Sequence, residues 1–143
     1  MAKGFTLTEL VVVIVIATIL AAFAISRINV NAFDTEGYAN RAAAMVRYAQ
    51  RTAISQRRTI FVVATATNLR LCYTDATCAS AVREPPGTNA FSHDTPSGVA
   101  LSPAIFSFDA LGRPSAAATL TVTGDVARQI TVEAETGYVR YVP

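Results

Sequence analysis

Charge is scarce in this chain of 143 residues, and two kinds of titratable side chain are almost absent. Acidic and basic residues together make up 15% of the sequence, Lys3 is the only lysine, and His93 is the only histidine. A formal net charge of +2 gives no overall electrostatic attraction for nucleic acid. His93 stands in a stretch rich in serine, proline and aspartate, where we expect an exposed loop residue.

Residue combinations that support catalysis are also missing from the sequence. No serine or cysteine stands at motif spacing from a base, and no cluster of metal ligands is visible. No glycine-rich loop could cradle a phosphate. The sequence therefore predicts no enzyme, no cofactor and no metal site.

Cysteine is limited to two residues, Cys72 and Cys78. They permit one small disulfide loop if the chain folds in an oxidising compartment, and a pair of buried thiols is the alternative. Closing so short a loop would stabilise the fold by less than the roughly 3 kcal/mol expected for a 15-residue loop.

Hydrophobic residues, in contrast, make up 52% of the chain, and the excess lies in its first 25 residues. Between positions 5 and 25 the only charged residue is Glu9. A helix over this segment would be roughly 31 Å long, which matches the thickness of a bilayer core, about 30 Å.

This apolar segment has three interpretations. A cleaved signal peptide would use residues 22–24, Ala-Phe-Ala, as its small-residue cleavage site, but Lys3 is the only basic residue ahead of the run and Glu9 interrupts it. A plain membrane anchor would place Glu9 at the interface and would leave the residues around it as coincidence. The third interpretation takes those residues as a motif.

The stretch KGFTLTEL, at positions 3–10, resembles the processing and methylation motif of type IV pilins and of the pilin-like proteins of type II secretion. The resemblance implies that a membrane peptidase cuts after Gly4 and methylates the new N-terminal residue, Phe5. It also implies that Glu9 meets the amino group of a neighbouring subunit during filament assembly. Because a carboxylate at mid-bilayer costs about 2.5–3.5 kcal/mol, such a partner is expected on physical grounds.

A second helical pattern follows the apolar segment. Apolar residues recur at three- and four-residue steps between Tyr38 and Ala53, which predicts a helix that packs on a sheet. We expect one helix over residues 5 to about 56, straighter near Ser26 than in the many members of the family that carry a kinking proline there. The arginines on its other faces are interpreted as solvated: Arg41, Arg47, Arg51 and Arg58.

From Thr59 onward the sequence changes to β-branched and alternating segments. Strands are predicted in TIFVVATAT, NLRLCYT, VALS, IFSFDA, TLTVTG, ARQITVEA and GYVRYVP, and residues 76–98 are predicted to be a loop. The expected fold class is α+β. The resemblance specifies it as a pilin fold, in which a long N-terminal helix, membrane-spanning in its first half and amphipathic in its second, packs on a small antiparallel β-domain.

The expected pilin fold divides the chain into four successive regions. A leader peptide occupies residues 1–4, and a transmembrane and filament-core helix occupies residues 5–25. An amphipathic continuation of the helix covers residues 26–58, and a β-rich globular domain covers residues 59–143.

Two further stretches narrow the resemblance. FDALGRP, at positions 108–114, resembles the minor-pilin branch that includes the secretion pseudopilin H and its type IV pilus counterpart. Residues 33–63 are similar to minor pilins of the mannose-sensitive haemagglutinin pilus. The implied partners are other pilin or pseudopilin subunits, the prepilin peptidase, the inner-membrane assembly platform and membrane lipid.

The resemblance also implies a location. The chain would cross the bacterial inner membrane once, hold its C-terminal domain in the periplasm, and then enter a pilus or a secretion pseudopilus. An oxidising periplasm favours the disulfide between Cys72 and Cys78.

DNA uptake is the alternative function. Some minor pilins of this branch bind DNA through a Gly-Arg-x-Arg loop whose arginines contact phosphates. This chain has Gly112, Arg113 and Pro114, but Ser115 stands where the second arginine is needed. Arg113 is therefore either a weak DNA contact or a solvated turn residue.

Overall fold

The computed structural model describes residue 4 and residues 6–25, 30–74 and 77–142. The chain divides into two compact units, Met1–Val30 and Asn31–Pro143. Residues 26–29 lie outside the described part, and so do the predicted continuity of one helix and its straight path at Ser26. Lys3 and Phe5 of the N-terminal motif also lie outside it.

The first unit contains helix α1, Leu7–Ile25. Thr6 caps it, because its hydroxyl accepts a hydrogen bond from the Glu9 N–H at 3.3 Å and its carbonyl accepts one from the Leu10 N–H at 3.2 Å. Large apolar side chains cover the helix on every side, and each of them between Leu7 and Phe23 is at least 50% exposed.

The second unit begins with helix α2, Val30–Gln56. It ends in a Schellman motif, in which Arg57 takes the left-handed conformation with a φ of 51°. The Arg58 N–H donates to the Ala53 carbonyl at 3.1 Å, and the Arg57 N–H donates to the Ile54 carbonyl at 3.3 Å. The buried face of α2 consists mostly of small side chains: Tyr38, Ala39, Ala42, Ala43, Met45, Val46, Ala49 and Ala53.

Two antiparallel sheets of four strands follow α2. Their strands are β1 Ile60–Ala64, β2 Asn68–Cys72, β3 Ser92–Asp94, β4 Ala100–Leu101, β5 Ala104–Phe108, β6 Ala118–Thr123, β7 Arg128–Val132 and β8 Val139–Val142. The first sheet has the order β3-β2-β1-β5 and the second has the order β4-β6-β7-β8. The sequence predicted β-rich structure here but not its division into two sheets.

Helix α2 is bonded to both sheets. Toward the first sheet, the Tyr38 hydroxyl donates to the His93 carbonyl at 3.4 Å. Burial, together with the nearby charge of Asp94, raises the pKa of Tyr38 to about 12. Toward the second sheet, the Arg47 guanidinium donates to the Val139 carbonyl at 3.3 Å.

Glu36 makes the polar connection between the start of α2 and the second sheet. Its carboxylate accepts hydrogen bonds from Arg128 Nε at 2.7 Å and from the Tyr141 hydroxyl at 2.6 Å. These two donors, Arg128 first, hold the pKa of the Glu36 carboxyl below its usual range. Burial and the hydrogen bond to Glu36 raise the pKa of Tyr141.

The prediction of a loop over residues 76–98 is wrong at Ser92–Asp94, which form β3. His93 is therefore a strand residue opposite Leu69, with a side chain only 23% exposed. Its ring meets the edge of Phe91 at 5.6 Å, and its Nε2 lies 3.4 Å from Glu84 Oε1. Three polar residues give no alternating apolar signal, so only pairing with β2 defines this strand.

A disulfide joins Cys72, the last residue of β2, to Cys78, with the two Cα atoms 5.1 Å apart. Cys72 is fully buried, and its backbone forms an isolated antiparallel β-bridge with Ala81. The bond therefore ties the segment that follows β2 back to the first sheet.

Candidate functional site

The N-terminal motif forms the first turn of α1. Thr6 is the N-cap and Glu9 is the third helical residue, which is the spacing of a capping box. The pattern Thr-x-x-Glu was visible in the sequence, but sequence reasoning assigned no role to Thr6. The cap fixes where the helix begins and therefore where Glu9 lies on it.

Glu9 is the only acidic residue in the first turn of α1. Its side chain is exposed, and the described residues provide no hydrogen-bond partner for its carboxylate. A carboxylate at a helix N-terminus is favoured by the partial positive charge of the unpaired N–H groups. Glu9 is thus held at the helix start with its oxygens available to another molecule.

The rest of α1 presents an apolar surface that its own unit does not cover. Leu7 is 79% exposed, Leu20 is 63% exposed and Phe23 is 69% exposed. An apolar surface that encircles a helix is typical of a helix that other apolar groups surround. Among the described residues, no helix meets the length and hydropathy required of a candidate membrane span.

The FDALGRP segment is a tight turn between β5 and β6. The Asp109 carboxylate accepts hydrogen bonds from the N–H groups of Leu111 and Arg113, both at 2.9 Å. Gly112 has a φ of 80°, which a glycine adopts without strain. The motif therefore encodes a turn that its own aspartate holds closed.

Gln50 of α2 fastens this turn to the end of the second sheet. Its Nε2 donates to the Gly112 carbonyl at 2.9 Å and to the Thr136 carbonyl at 3.1 Å. Gly112 lies against Ile54, since a Cβ at position 112 would come within 2.7 Å of Ile54 Cδ1. The motif thus has a packing role in the described structure.

Arg113 itself is exposed at this turn, and no other described residue makes a hydrogen bond or an ion pair with its side chain. Ser115, at the position where a second arginine would be needed, is tied to β5: its N–H donates to the Ser107 carbonyl at 2.8 Å and its hydroxyl accepts from the Ser107 N–H at 3.1 Å. The geometry gives Arg113 no basic companion in the turn.

The surface beside His93 carries no combination of catalytic groups among the described residues. A groove of about 490 Å³ runs past His93, Glu84 and the Tyr48–Phe91 aromatic pair, and none of the described residues that line it is a serine, threonine or cysteine. Within the described part of the chain, no group of three or more His, Cys, Asp or Glu residues could hold a metal ion.

Two models of known protein families match the chain. Residues 1–25 match the prokaryotic N-terminal methylation motif, and residues 38–137 match the type II transport protein GspH. The chain belongs to the GspH family. The second match covers most of the globular unit, and the first covers the capped, apolar α1.

Two solved structures are similar to this GspH-family chain. Both are crystal forms of the type IV minor pilin FimU from Pseudomonas aeruginosa strain PAO1, each with a TM-score of 0.60 and 20% sequence identity. They cover 76% of this chain, which in turn covers 92% and 87% of the two FimU chains. At this identity the likeness shows the fold, and it confirms the predicted α+β pilin fold. No curated protein matches the chain.

Motif, family and fold together identify a minor pilin or pseudopilin, a class of protein that associates with other pilin subunits in a filament. Family and fold are those of structural subunits. The resemblance to the haemagglutinin pilus stays a prediction, and the DNA-uptake alternative gains no support from these comparisons.

Proposed function

We propose that this protein is cleaved after Gly4, methylated on Phe5, and then built into a type IV pilus or a secretion pseudopilus. Before assembly, residues 5–25 anchor it in the bacterial inner membrane with the globular unit in the periplasm. The prepilin peptidase and the inner-membrane assembly platform act on the protein while it is anchored in that membrane. In the filament, α1 packs among the equivalent helices of other subunits.

The main support for this proposal is that α1 has an exposed apolar surface with a single charged residue, Glu9, in its first turn. Every large apolar side chain of α1 between Leu7 and Phe23 is at least half exposed, and Glu9 is the one charged residue among them. A bilayer and a bundle of like helices are both apolar surroundings that would cover it. The disulfide of the globular unit supports the periplasmic placement, because disulfides persist in oxidising compartments.

Glu9 has the assembly role in this proposal. Cleavage after Gly4 would leave a cationic amino group on Phe5, and a carboxylate in apolar surroundings needs such a partner. The cap from Thr6 holds Glu9 in the first turn, where it can meet the amino group of a neighbouring subunit. The pair would align one subunit against the next.

Mass spectrometry of the mature protein tests the processing step. We expect a chain that begins at Phe5 and carries one added methyl group. A mature chain that begins at Ile25 would instead indicate a signal peptide, and an intact Met1 would rule out processing.

Replacing Glu9 tests the assembly step. Glu9→Ala should leave membrane insertion unchanged and reduce the protein found in sheared filaments by at least about tenfold, which corresponds to the loss of one charge-assisted contact. Glu135→Ala, which removes an exposed acid from the globular unit, is the matched control and should assemble normally. Normal incorporation of the Glu9→Ala protein would contradict the proposal.

A further inference from the structure

The first sheet has a second face that α2 does not cover. Ile60, Val62 and Ala64 of β1 belong to the core beneath α2, so the alternating residue Val63 points to the opposite face. In the register, Val63 pairs with Arg70 of β2 and with Ile105 of β5. These three residues form a row across the sheet on its outer face.

A groove of about 510 Å³ lies on this outer face. Its walls are apolar or small residues, among them Val63, Ala66, Pro103 and Ile105, and the side chain of Ile105 remains 61% exposed. Among the described residues that line it, Arg70 alone is charged. We call this feature the outer groove.

Arg70 has an unmet hydrogen-bonding requirement in the outer groove. Its Nε is buried and, within the described structure, has no hydrogen-bond partner. In the neighbouring strand β3, Ser92 and Asp94 hydrogen-bond to Asn68 instead: its amide donates to Ser92 Oγ at 2.8 Å and to Asp94 Oδ1 at 2.7 Å. Buried donors are nearly always paired. Because the chain itself covers Nε, an acceptor from outside would have to reach the guanidinium through its terminal N–H groups, for which the described residues also provide no acceptor.

We propose that the outer groove binds a carboxylate side chain, flanked by apolar residues, on an extended segment of a neighbouring pilin-type subunit. An arginine in apolar surroundings pairs best with a carboxylate, which can accept from two of its N–H groups at once. The uncharged walls favour an acid carried next to apolar side chains over a free, hydrated ion.

The position of the groove suits an extended partner. β5 is an edge strand of the first sheet. Ser115 hydrogen-bonds to Ser107 of this strand, and Ile105 lies on β5 before that bonded position. Edge strands accept extended segments by main-chain pairing. A groove that meets a different surface of the next subunit makes a head-to-tail contact, the kind that produces helical filaments. The partner in this inference rests on the proposed function, whereas carboxylate recognition does not.

Titration followed by NMR tests carboxylate recognition without assembly. The full chain in detergent micelles is titrated with an acetylated, amidated Val-Glu-Val peptide and with its Val-Gln-Val counterpart, while the Arg70 Nε–H and Ile105 methyl signals are observed. We expect both signals to shift with the acidic peptide and the amide peptide to bind at least about tenfold more weakly. Equal shifts with both peptides, or none with either, would overturn the inference.

Variants separate the groove from general effects of charge. Arg70→Gln should abolish the difference between the two peptides, and Arg113→Gln, which removes an exposed arginine elsewhere, should preserve it. Ile105→Ala keeps Arg70 and should weaken both peptides in parallel, so it remains informative if Arg70→Gln unfolds. If the Arg70→Gln protein still binds the acidic peptide more tightly than the amide peptide, the peptide carboxylate binds at a site other than Arg70.

A photo-reactive amino acid at position 105 tests the partner in cells that assemble filaments. We expect cross-links to a pilin-type subunit that disappear with Arg70→Glu. Position 111, which is exposed in the FDALGRP turn and does not line the outer groove, serves as the reference. Peptide binding without such cross-links would retain the carboxylate site and reject the pilin partner. Loss of peptide binding in a protein that still assembles would reject the site and leave the proposed function intact.

Discussion

Helices α1 and α2 differ in where their apolar partners are found. Every large apolar side chain on α1 between Leu7 and Phe23 is at least half exposed, whereas Met45 and Val46 on α2 are 1% and 0% exposed. α1 is almost wholly apolar, whereas α2 carries polar and charged residues on the faces beside its apolar stripe, so α2 needs apolar partners on one face only. The apolar groups that α1 requires must come from outside its unit, and those that α2 requires come from the two sheets.

Side-chain size accounts for how α2 meets its partners. Five of the residues on its buried face are alanines: Ala39, Ala42, Ala43, Ala49 and Ala53. Small side chains let the helix axis approach two sheets at once, and Met45 fills the remaining space. In α1, valine and isoleucine project on all sides, which suits a uniform apolar surrounding.

Truncation of Met45 should produce the largest difference between the helices. Met45→Ala is expected to lower the free energy of unfolding of the globular unit by about 2–5 kcal/mol, because it leaves a cavity under α2. Leu20→Ala is the matched change on α1 and should alter this quantity by less than about 0.5 kcal/mol. Urea unfolding followed by circular dichroism measures both. A loss of similar size in the two variants would show that α1 also contributes to the globular core.

Changes at two glycines should have opposite signs. Gly112→Ala places a methyl group 2.7 Å from Ile54 Cδ1 on a backbone with a φ of 80°, and it should destabilise the unit by about 2 kcal/mol. Gly37→Ala, in α2 with no atom near the new Cβ, should stabilise it by about 0.5–1 kcal/mol.

Thermal unfolding of the two glycine variants and of the Gly112→Ala, Ile54→Ala double variant measures this contrast. Removing the Ile54 side chain should recover part of the loss by relieving the contact. If the double variant recovers none of it, the turn and α2 are not packed as described.

The smallest effect should be the dependence of stability on pH. Because Arg128 and Tyr141 lower the pKa of Glu36, this group stabilises the fold above the unfolded pKa, about 4.3, and the contribution is lost as pH falls through the folded pKa. Glu36→Gln should therefore be less stable than the parent at neutral pH, and the difference should disappear in acid.

Urea midpoints across the acidic range compare the parent, Glu36→Gln and Tyr141→Phe. Tyr141→Phe removes one donor only, so its deficit should have the same sign and be smaller than that of Glu36→Gln. A deficit that stays constant with pH would mean that the Glu36 charge is not what joins α2 to the second sheet.

Much of the fold was predictable because local patterns specified it. The helical stripe of α2 ends at Gln56 as predicted, and the β1–β2 hairpin forms where alternation resumes at Asn68. β3 was missed because its three polar residues have no periodic signal, and pairing with β2 is what makes the segment a strand. Thr6 could have been recognised from the spacing of its capping box.

The role of Gln50 could not be predicted in the same way. The FDALGRP motif was recognisable as a turn, but its attachment to α2 depends on Gln50, which lies far away in the sequence. The unpaired Arg70 Nε was also beyond sequence reasoning, because an arginine on a strand is ordinarily solvated. Both the attachment of the turn by Gln50 and the surroundings of Arg70 depend on residues that are distant in the sequence.

The sequence by itself determined the N-terminal motif, the apolar surface of α1, the amphipathic stripe of α2 and most of the strands. These features depend on residue type and on periods of a few residues, which act locally. Only the tertiary structure decided that the strands form two sheets joined by one helix, that Glu36 and Gln50 bond to the second half of the chain, and that Arg70 lies in a groove without an acceptor. Those outcomes depend on which distant side chains meet after folding, and no local period encodes that.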